Sequence, residues 1–384
     1  MRFFHLSDLH IGLKLLGRDL MEDQAYILDQ IAEAARREQP DAIVIAGDIY
    51  DKAVPSAEAV SAFDGFIAAL CAAAPEAELM LISGNHDSAA RLNLYRGLLN
   101  RQRVHMIGLP PQSPGEHIEV VTLSDAHGPV DFYLLPFVKP SMVKAIVGVD
   151  ADGNNLSYDE SLRRLIAREE IDPARRSVLV SHQFYVPVGA DPAGIERTEG
   201  EIVTVGNIDA VRADVLEPFD YAALGHIHRP MRAGGERFFY CGSPLAASVG
   251  EAGQQKAIAL VELGEKGDVR VSPIPLAPLR QVKVVAGTLE EALEMACEDY
   301  VTVLLTEAPA MDAFDLRDRL QAAFPRLLEI RRALPATPAQ DARLAPQALL
   351  DPLALCDAFL GEVDDDTRAL LADAVNTVLE ARRP

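Results

Sequence analysis

Five short polar segments constrain this chain more than any other feature, because each directly follows an apolar stretch with the pattern of a β-strand. In chain order they are Asp8-Leu9-His10, Gly47-Asp48, Gly84-Asn85-His86-Asp87, Ser181-His182 and Gly225-His226-Ile227-His228. Ligand-binding residues in layered α/β folds gather on loops at the carboxyl ends of strands. We therefore predict an α/β fold in which the five segments meet at one site.

Strand and helix patterns alternate along the first part of the chain. Helices are predicted at Leu20–Glu38 and Ala57–Ala74. Strands are predicted at Arg2–Leu6, Ala42–Ala46, Leu79–Ile82, Asp131–Leu135, Ser177–Ser181 and Asp220–Leu224. The run Ala42–Ala46 is apolar throughout, which is typical of a strand buried on both faces.

The five segments offer carboxylates, an amide oxygen and several imidazoles. This mixture of oxygen and nitrogen donors suits divalent ions such as Mn²⁺, Fe²⁺ or Zn²⁺. The D-x-H and H-x-H spacings at a strand end place residues i and i+2 on the same side, where both can reach one ion or two adjacent ions. Gly47, Gly84 and Gly225 allow the chain to turn sharply beside these donors.

Composition limits the classes of function. The formal charge of −22 argues against unaided, non-specific binding to DNA, which needs a basic surface. A nuclease is still compatible with this charge, since bound cations or a partner subunit can supply positive charge. The sequence has no apolar run of about 18 residues, and its start, MRFFHLSDLHIG, lacks the apolar core of a secretory signal. We therefore expect a cytoplasmic protein with no membrane partner.

The remaining sequence predicts further units. From about Gln281 the pattern changes to strand, helix, strand, helix and strand, at Val282–Val285, Leu289–Cys297, Tyr300–Thr306, Phe314–Phe324 and Leu327–Arg332. The proline-rich segment Ser272–Arg280 before it is predicted to be a linker. We expect domains at 1–275 and 276–333, a linker at 334–350 and a helical segment at 351–384. The four cysteines form no C-x-x-C pair and are expected to be buried free thiols.

Several segments resemble the signature motifs of the calcineurin-like metallophosphoesterase superfamily, namely FFHLSDLHIG, VIAGDIYDKAVPS, LISGNHDS, VSHQF and YAALGHIHRP. The closer resemblance is to the SbcD family, the nuclease subunits of bacterial double-strand-break processing complexes. The segment YCGSPLAASVGEAGQQK is similar to the one that closes the catalytic domain in that family. The resemblance covers residues 1 to about 275 and implies a four-layered α/β/β/α sandwich.

Carried over position by position, the resemblance implies two divalent ions, which we expect to be Mn²⁺. The first would be bound by Asp8, His10, Asp48 and His228. The second would be bound by Asp48, Asn85, His182 and His226, so that Asp48 bridges the two. His86 is then the expected general acid or transition-state stabiliser, because the 3′ oxygen leaves as a strong base unless it is protonated or screened. Asp87 is expected to fix the tautomer and orientation of His86.

The resemblance also implies a function and partners. The activity would be 3′ to 5′ exonuclease action on duplex ends and endonuclease action near hairpins and blocked ends, in DNA repair and recombination. The implied partner is an SbcC-type ABC ATPase, bound through helices of 351–384, while 276–333 would cap the DNA. The chain has no G-x-x-x-x-G-K-[ST] motif of its own, so ATP dependence must come from that partner. A homodimer within a heterotetramer is implied, through helices around residues 55 to 100.

Two alternative functions remain open. The first is a phosphatase or cyclic-nucleotide phosphodiesterase on the same fold. Against it, GDIYDKA lacks the arginine and glycine of the serine/threonine phosphatase pattern, and GNHD stands where that pattern has GNHE. The second is a non-catalytic scaffold, which a missing ligand would support, yet every ligand position is filled.

Some polar residues have simpler interpretations. His5 is expected to be structural, and His105, His117 and His127 are expected at the surface. Cys241 is expected at a strand end rather than as a nucleophile, because no histidine pattern accompanies it. The loop 187–204 either lines the DNA path or is a plain surface loop.

Overall fold

The computed structural model describes residues 1–195, 197, 201, 209–307 and 312–332. The linker and helices predicted for residues 334–384 lie outside these described residues. The strands are β1 (Arg2–Leu6), β2 (Lys14–Leu15), β3 (Arg18–Asp19), β4 (Ala42–Ala46), β5 (Glu78–Ile82), β6 (Val104–Ile107), β7 (Glu119–Asp125), β8 (Gly128–Leu135), β9 (Arg176–Ser181), β10 (Phe184–Val186), β11 (Ala210–Arg212), β12 (Tyr221–Leu224), β13 (Met231–Arg232), β14 (Phe238–Tyr240), β15 (Ala257–Leu263), β16 (Val269–Pro275), β17 (Val282–Gly287), β18 (Tyr300–Leu305) and β19 (Arg326–Arg332). The helices are α1 (Met21–Glu38), α2 (Ala57–Ala73), α3 (Ala89–Leu92), α4 (Arg96–Leu99), α5 (Pro140–Val147), α6 (Tyr158–Ala167), α7 (Leu289–Glu294) and α8 (Ala313–Ala323).

Two six-stranded sheets form the centre of the fold. The first has the order β16-β15-β1-β4-β5-β6, and the second has the order β13-β14-β12-β9-β8-β7. In the first sheet β1, β4, β5 and β6 are parallel, and in the second β8, β9, β12 and β14 are parallel. The carboxyl ends of each parallel set therefore lie at one edge of its sheet.

The sheets and helices form four layers. An apolar layer that includes Phe3, Val44 and Phe132 lies between the two sheets. The outer face of the first sheet packs against α1 and α2, and that of the second packs against α5 and α6. In β4, Ile43 and Ile45 belong to the helix-side core and Val44 to the layer between the sheets, so this strand is buried on both faces as predicted. The predicted four-layered α/β/β/α sandwich is confirmed.

A smaller sheet follows the two large ones. Strands β17, β18 and β19 are parallel, and α7 and α8 pack against them around a separate apolar core that includes Val303 and Phe324. These elements lie where the sequence pattern predicts them, with ends that differ by a few residues. Contacts to α1 hold the small sheet, because Arg280 Nη1 lies 2.9 Å from Asp23 Oδ2 and the Tyr300 hydroxyl donates to the same oxygen at 2.8 Å. The domain boundaries themselves stay predictions.

The predicted linker Ser272–Arg280 is wrong in its first half. Residues 272–275 belong to β16, which pairs antiparallel with β15. Pro273 and Pro275 are tolerated there because β16 is an edge strand, where a proline nitrogen without a proton faces no further strand.

Two smaller predictions, on membrane spans and on the cysteines, can also be compared with the structure. In the described part of the chain, no helix is long and apolar enough to span a bilayer. Cys71, Cys241 and Cys297 are free thiols as predicted, but only Cys241 is buried. Cys356 lies outside the described residues.

Candidate metal centre

The structure brings all five predicted segments together at the facing edges of the two large sheets. The seven predicted metal ligands all lie in loops that directly follow parallel strands. Those after β1, β4 and β5 are Asp8, His10, Asp48 and Asn85, and those after β9 and β12 are His182, His226 and His228. All of these side chains except that of Asn85 are buried.

Asp48 lies in the middle of the cluster. Its Oδ2 is 3.2 Å from His182 Nε2 and 3.7 Å from His10 Nε2. Its Oδ1 accepts a hydrogen bond from the backbone N–H of His86 at 2.8 Å. One carboxylate oxygen therefore lies between two imidazoles, as the bridging ligand of a metal pair would.

On one side of Asp48 lies the group of Asp8, His10 and His228. The Nε2 atoms of His10 and His228 are 3.1 Å apart, and His228 Nε2 is 3.9 Å from Asp8 Oδ1. Hydrogen bonds fix the Asp8 carboxylate, from Ser7 Oγ at 2.5 Å and from the His226 backbone N–H at 3.0 Å. Three donor atoms thus converge on one point from two loops, those after β1 and β12.

On the other side, the donor chemistry of Asn85, His182 and His226 fits a cation. His182 Nδ1 is 2.7 Å from the carbonyl oxygen of Ala46, which can only accept, so Nδ1 carries a proton. In a neutral His182, Nε2 would direct its lone pair at Asn85 Oδ1, 3.0 Å away. His226 Nδ1 lies 2.9 Å from the same amide oxygen. The facing lone pairs of His182 Nε2 and Asn85 Oδ1 suit a cation between them, either a proton or a metal ion, and the mixed oxygen and nitrogen set suits a divalent one.

The pKa values show how strongly the cluster attracts positive charge. Burial alone lowers the pKa of His182, but the carboxylates of Asp48 and Asp8 outweigh it and raise this pKa to about 9. Burial opposes ionisation of Asp48 as well, yet the nearby His182 holds the Asp48 pKa well below its usual range. By contrast, burial lowers the pKa of His10 to about 3, so this ring is neutral and free to act as a ligand. A divalent ion can replace the proton of His182.

Among the described residues, three sets of side chains bring one donor atom each within 4.8 Å of one another. These sets are Asp8, His10 and His228; Asp8, Asp48 and His182; and His10, Asp48 and His86. The first two combine only residues predicted as ligands. The third includes His86, which is predicted to lie outside the metal ligands.

Four of the predicted ligands have a left-handed backbone. Their φ angles are 54° at Asp8, 43° at His10, 49° at Asp48 and 100° at His226. Non-glycine residues avoid this region, at a cost of about 1–3 kcal/mol each. The donor atoms of Asp8 and His10 reach the same group. They do not do so through the strand geometry that was predicted, because β1 ends at Leu6 and the chain then turns. The donors converge through strained loops rather than through strand geometry.

Two glycines allow the loops to pack this closely. A Cβ atom at Gly84 would overlap the carboxylate and the backbone nitrogen of Asp48. A Cβ atom at Gly225 would overlap the carbonyl oxygen of Ala46. A side chain at either position would displace a loop that carries a predicted ligand.

His86 and Asp87 have different partners from those predicted. The ring nitrogen Nδ1 of His86 donates to the carbonyl oxygen of Asp51 at 3.0 Å, so this carbonyl fixes the ring. The Asp87 carboxylate accepts three backbone hydrogen bonds at 2.9 to 3.1 Å, from the N–H groups of Ile49, Tyr50 and Gly84. The prediction that Asp87 orients the His86 ring is therefore wrong, because the turn directs the two side chains to different neighbours. Asp87 instead links the segment Gly84–Asp87 to the loop after Asp48 through these hydrogen bonds.

Two buried carboxylates beside His228 are absent from the predictions. Glu251 Oε1 lies 3.2 Å from His228 Nδ1, and Glu201 Oε1 accepts the backbone N–H of His228 at 2.7 Å. Both side chains are buried. The sequence around Glu251 reads SVGEA, and an acidic residue among small and apolar neighbours is the signal that could have identified it. Glu201 has no comparable signal.

The other histidines largely follow the predictions. His5 is buried in β1, where Nδ1 lies 2.9 Å from the Tyr221 hydroxyl, and is structural. His117 and His127 are exposed as predicted. His105 is half-buried, because it pairs with Glu78 across the β5–β6 ladder.

The two remaining candidates lie beside the cluster. Cys241 follows β14, and burial raises the pKa of its thiol far above the usual range, so it is no nucleophile. Arg197, in the loop 187–204, lies 3.4 Å from the centroid of the Phe184 ring and 3.3 Å from Asp209 Oδ2. Its guanidinium is therefore engaged within the protein, which favours a structural role for this arginine.

Several known proteins are similar to this chain. Residues 1–230 match the family model described as calcineurin-like phosphoesterase. The SbcD component of the SbcCD nuclease from Staphylococcus saprophyticus subsp. saprophyticus is 32% identical over 300 residues, which cover 78% of this chain and 75% of that protein. A dimetal phosphatase from Danio rerio has 16% identity and a TM-score of 0.43, covering 74% of this chain and 98% of that one. The TT1561 protein of Thermus thermophilus has 12% identity and a TM-score of 0.42, covering 71% and 98%.

The family model spans more than half of the chain and includes all five polar segments. The SbcD relative extends the match over most of both sequences. The matched motifs carry the donor atoms that converge around Asp48. The chain therefore belongs to the calcineurin-like phosphoesterases and, within them, to the SbcD family, and it is a metal-dependent phosphodiesterase.

Proposed function

We propose that this chain is a two-metal DNA nuclease that acts with an SbcC-type ABC ATPase in the processing of DNA ends. The observation that carries the proposal is the buried donor cluster, in which Asp48 Oδ2 lies 3.2 Å from His182 and 3.7 Å from His10. Donor groups on both sides of one carboxylate are the arrangement that two adjacent cations require. The relative from Staphylococcus saprophyticus, which is named as part of the SbcCD nuclease, supports DNA as the substrate.

The donor groups divide between two ions. One ion would be held by Asp8, His10, Asp48 and His228, and the other by Asp48, Asn85, His182 and His226. When bound, the two ions, which we propose to be Mn²⁺, supply positive charge to the attacking and leaving oxygens of an in-line displacement at phosphorus. The left-handed loops and their hydrogen bonds hold the donors in place before substrate arrives, which limits reorganisation during the reaction.

His86 is the proposed general acid. Its Nδ1 donates to the Asp51 carbonyl oxygen, so Nε2 is the nitrogen that can exchange a proton with substrate. The ring packs edge-on against His10, with centroids 4.9 Å apart, and its side chain is only half-buried. This position beside the donor cluster suits proton donation to the departing 3′ oxygen. Asp87 contributes by holding the loop that follows Asp48 against the segment Gly84–Asp87.

The net charge of −22 favours an assembly rather than a solitary nuclease. DNA binding depends on neutralised phosphates, and a chain this acidic needs positive charge from bound ions and from a partner. We propose that the ATPase binds the helical segment 351–384 and that the small domain 276–333 caps the DNA. The proposed activities are 3′ to 5′ exonuclease action on duplex ends and endonuclease action at hairpins and blocked ends.

A second copy of the chain is the proposed occupant of an exposed apolar surface, which we call the α2–α4 patch. It consists of Val60, Leu94, Tyr95 and Leu98, which are 45%, 56%, 73% and 62% exposed. An adjoining cleft of about 510 Å³ is lined mainly by apolar side chains, including Phe63. Contiguous exposed apolar surface of this kind marks association sites, and most soluble oligomers are two-fold homodimers. We propose that the chain forms a homodimer through this patch.

The proposal is tested with an end-labelled duplex and a DNA hairpin, incubated with the purified chain and Mn²⁺, with and without an SbcC-type ATPase. We expect the duplex to be shortened from its 3′ ends and the hairpin to be opened. Parallel reactions contain bis-p-nitrophenyl phosphate or a 3′,5′-cyclic nucleotide.

The parallel reactions separate the alternatives. DNA that stays intact under all conditions, while a small phosphodiester is hydrolysed, would contradict the nuclease proposal and support a small-molecule phosphodiesterase. A chain that binds Mn²⁺ but hydrolyses none of these substrates would support a non-catalytic scaffold.

A further inference from the structure

Glu251 lies behind His228, on the side of the ring away from the donor cluster. It ends the short 3-10 turn Val249–Glu251 and is 1% exposed. Its Oε1 is 3.2 Å from His228 Nδ1 and accepts a hydrogen bond from Ser248 Oγ at 3.1 Å. A carboxylate can only accept, so this contact places a proton on His228 Nδ1.

The second oxygen of Glu251 is also fully engaged. Its Oε2 lies 2.5 Å from Lys256 Nζ and 2.9 Å from Ser243 Oγ. Lys256 Nζ also donates to the backbone carbonyl oxygen of His228 at 3.1 Å. Lys256 is 5% exposed, so the ion pair is enclosed by protein. The pair therefore contacts His228 at two points, the ring through Glu251 and the backbone through Lys256.

These contacts determine what His228 presents to the cluster. With its proton on Nδ1, the ring directs the lone pair of Nε2 at His10 Nε2, 3.1 Å away, and at Asp8 Oδ1, 3.9 Å away. The backbone N–H of His228 is separately fixed by Glu201. With the backbone fixed, the ring can still rotate about the Cα–Cβ and Cβ–Cγ bonds of His228. The contact with Glu251 prevents this rotation.

We infer that Glu251 is a positioning residue that fixes the tautomer and orientation of His228, and that Lys256 holds Glu251 in place. The inference rests on the proposed function, since it takes His228 as a ligand of one of the two ions. Carboxylates that accept the second N–H of a ligating histidine orient the ring and strengthen its basicity. Lys256 is needed because a buried carboxylate without a cation is strongly destabilising.

Two substitutions of Glu251 test the inference through Mn²⁺ binding, measured by isothermal titration calorimetry on the full chain. Glu251→Ala removes the acceptor, and we expect one of the two ions to bind about 10- to 100-fold more weakly while the other is unchanged. Glu251→Gln keeps the size and one acceptor oxygen, which must serve either His228 or Lys256. We therefore expect a smaller loss of Mn²⁺ affinity in Glu251→Gln than in Glu251→Ala. If the alanine variant does not fold, the glutamine variant still tests whether Glu251 positions His228.

A matched control is Asp125→Ala. It breaks an ion pair with the buried Arg176, and this pair touches no predicted ligand. We expect this variant to lose stability but to keep both Mn²⁺ affinities. In Glu251→Ala, added Mn²⁺ should restore the rate of DNA cleavage, with KM for DNA unchanged, because only ion binding is impaired. A structural role for Glu251 would instead lower stability without this rescue.

The outcomes separate this inference from the proposed function. If folded Glu251→Ala binds both ions as tightly as the unsubstituted chain, Glu251 does not position His228 and the inference is overturned. Equal losses in Asp125→Ala would overturn it as well, since they would reflect general destabilisation. If the unsubstituted chain binds two ions but cuts no DNA, the nuclease proposal fails, and the Mn²⁺ affinities of the variants still decide the role of Glu251.

Discussion

His86 and Asp87 are neighbours in sequence that perform separate tasks. Asp87 accepts three backbone hydrogen bonds and thereby stabilises both the loop after Asp48 and the turn that begins at Gly84. His86 is held by the Asp51 carbonyl and keeps one ring nitrogen within 4.8 Å of donor atoms of His10 and Asp48. That distance is compatible with two roles, proton donor to substrate or ligand to an ion, and a single substitution separates them.

Replacement of His86 by alanine is expected to reduce DNA cleavage by about 10²- to 10⁴-fold, the usual contribution of a general acid. The variant should still bind two Mn²⁺ per chain, because all proposed ligands are intact. Metal content by mass spectrometry and cleavage of labelled duplex are measured on the same preparation. A fall to one ion per chain would make His86 a ligand, and the exposed His117→Ala serves as the control with normal activity.

The ion pair of Asp125 with Arg176 leads us to predict that stability depends on pH, through a group outside the metal centre. Hydrogen bonds from Arg176, and then from the terminal amino group, hold the pKa of the Asp125 carboxyl far below its usual range. A carboxyl with a lowered pKa stabilises the fold above the pKa of the unfolded chain, about 3.9, and this contribution is lost as pH falls towards the folded pKa.

Thermal unfolding of the unsubstituted chain and of Asp125→Asn checks this sign. The Tm of the variant should be lower at pH 7, and the gap should narrow progressively below about pH 4. A gap that is constant or widens over this range would contradict the assignment. Glu119→Gln, on the same strand and in an exposed pair with Arg96, is the control expected to show little difference at either pH.

At the scale of elements, α2 shows how local sequence sets a boundary. Ser56 precedes the helix with extended backbone, and its side chain accepts a hydrogen bond from the Ala59 N–H at 3.2 Å. The helix then packs Phe63, Phe66 and Leu70 against α1 and the first sheet. Capping fixes where the helix begins, and the buried face fixes how it packs.

Loss of this cap should have a small and specific effect. Ser56→Ala is expected to lower the free energy of unfolding by about 1 kcal/mol, because one backbone N–H of the first turn loses its partner. Ser61→Ala, at an exposed position inside the same helix, should change it by no more than about 0.5 kcal/mol. Chemical denaturation of the two variants measures both values, and equal effects would contradict the capping role.

The same scale shows what the sequence can and cannot predict. The strand Ala42–Ala46 and the helix Met21–Glu38 were predictable because burial leaves a continuous apolar run in the strand and a periodic apolar pattern in the helix. The left-handed turns at Asp8 and Asp48 leave no such pattern, since contacts with distant loops hold them. The edge position of β16 also cannot be predicted from the local sequence, because it depends on which strands pair across the whole sheet. The residues that cluster were therefore predictable, whereas the backbone geometry that brings them together was not.

At the scale of the whole molecule, an acidic chain carries a buried donor cluster at one place and an exposed apolar α2–α4 patch at another. The proposed homodimer uses the patch. Leu98→Glu is expected to shift the chain towards monomers in sedimentation experiments, because it places a charge in a desolvated interface. Val188→Glu, at another exposed apolar residue, should leave association unchanged. A monomeric unsubstituted chain, or a dimer insensitive to Leu98→Glu, would contradict this interface.

Titration of Mn²⁺ into the metal-free chain, with cleavage of an end-labelled duplex followed at each step, tests the central claim most directly. The two-metal account predicts that two ions bind per chain and that cleavage rises only as the second site fills. Full cleavage with a single bound ion, or cleavage that is unaffected by removal of metal, would contradict it.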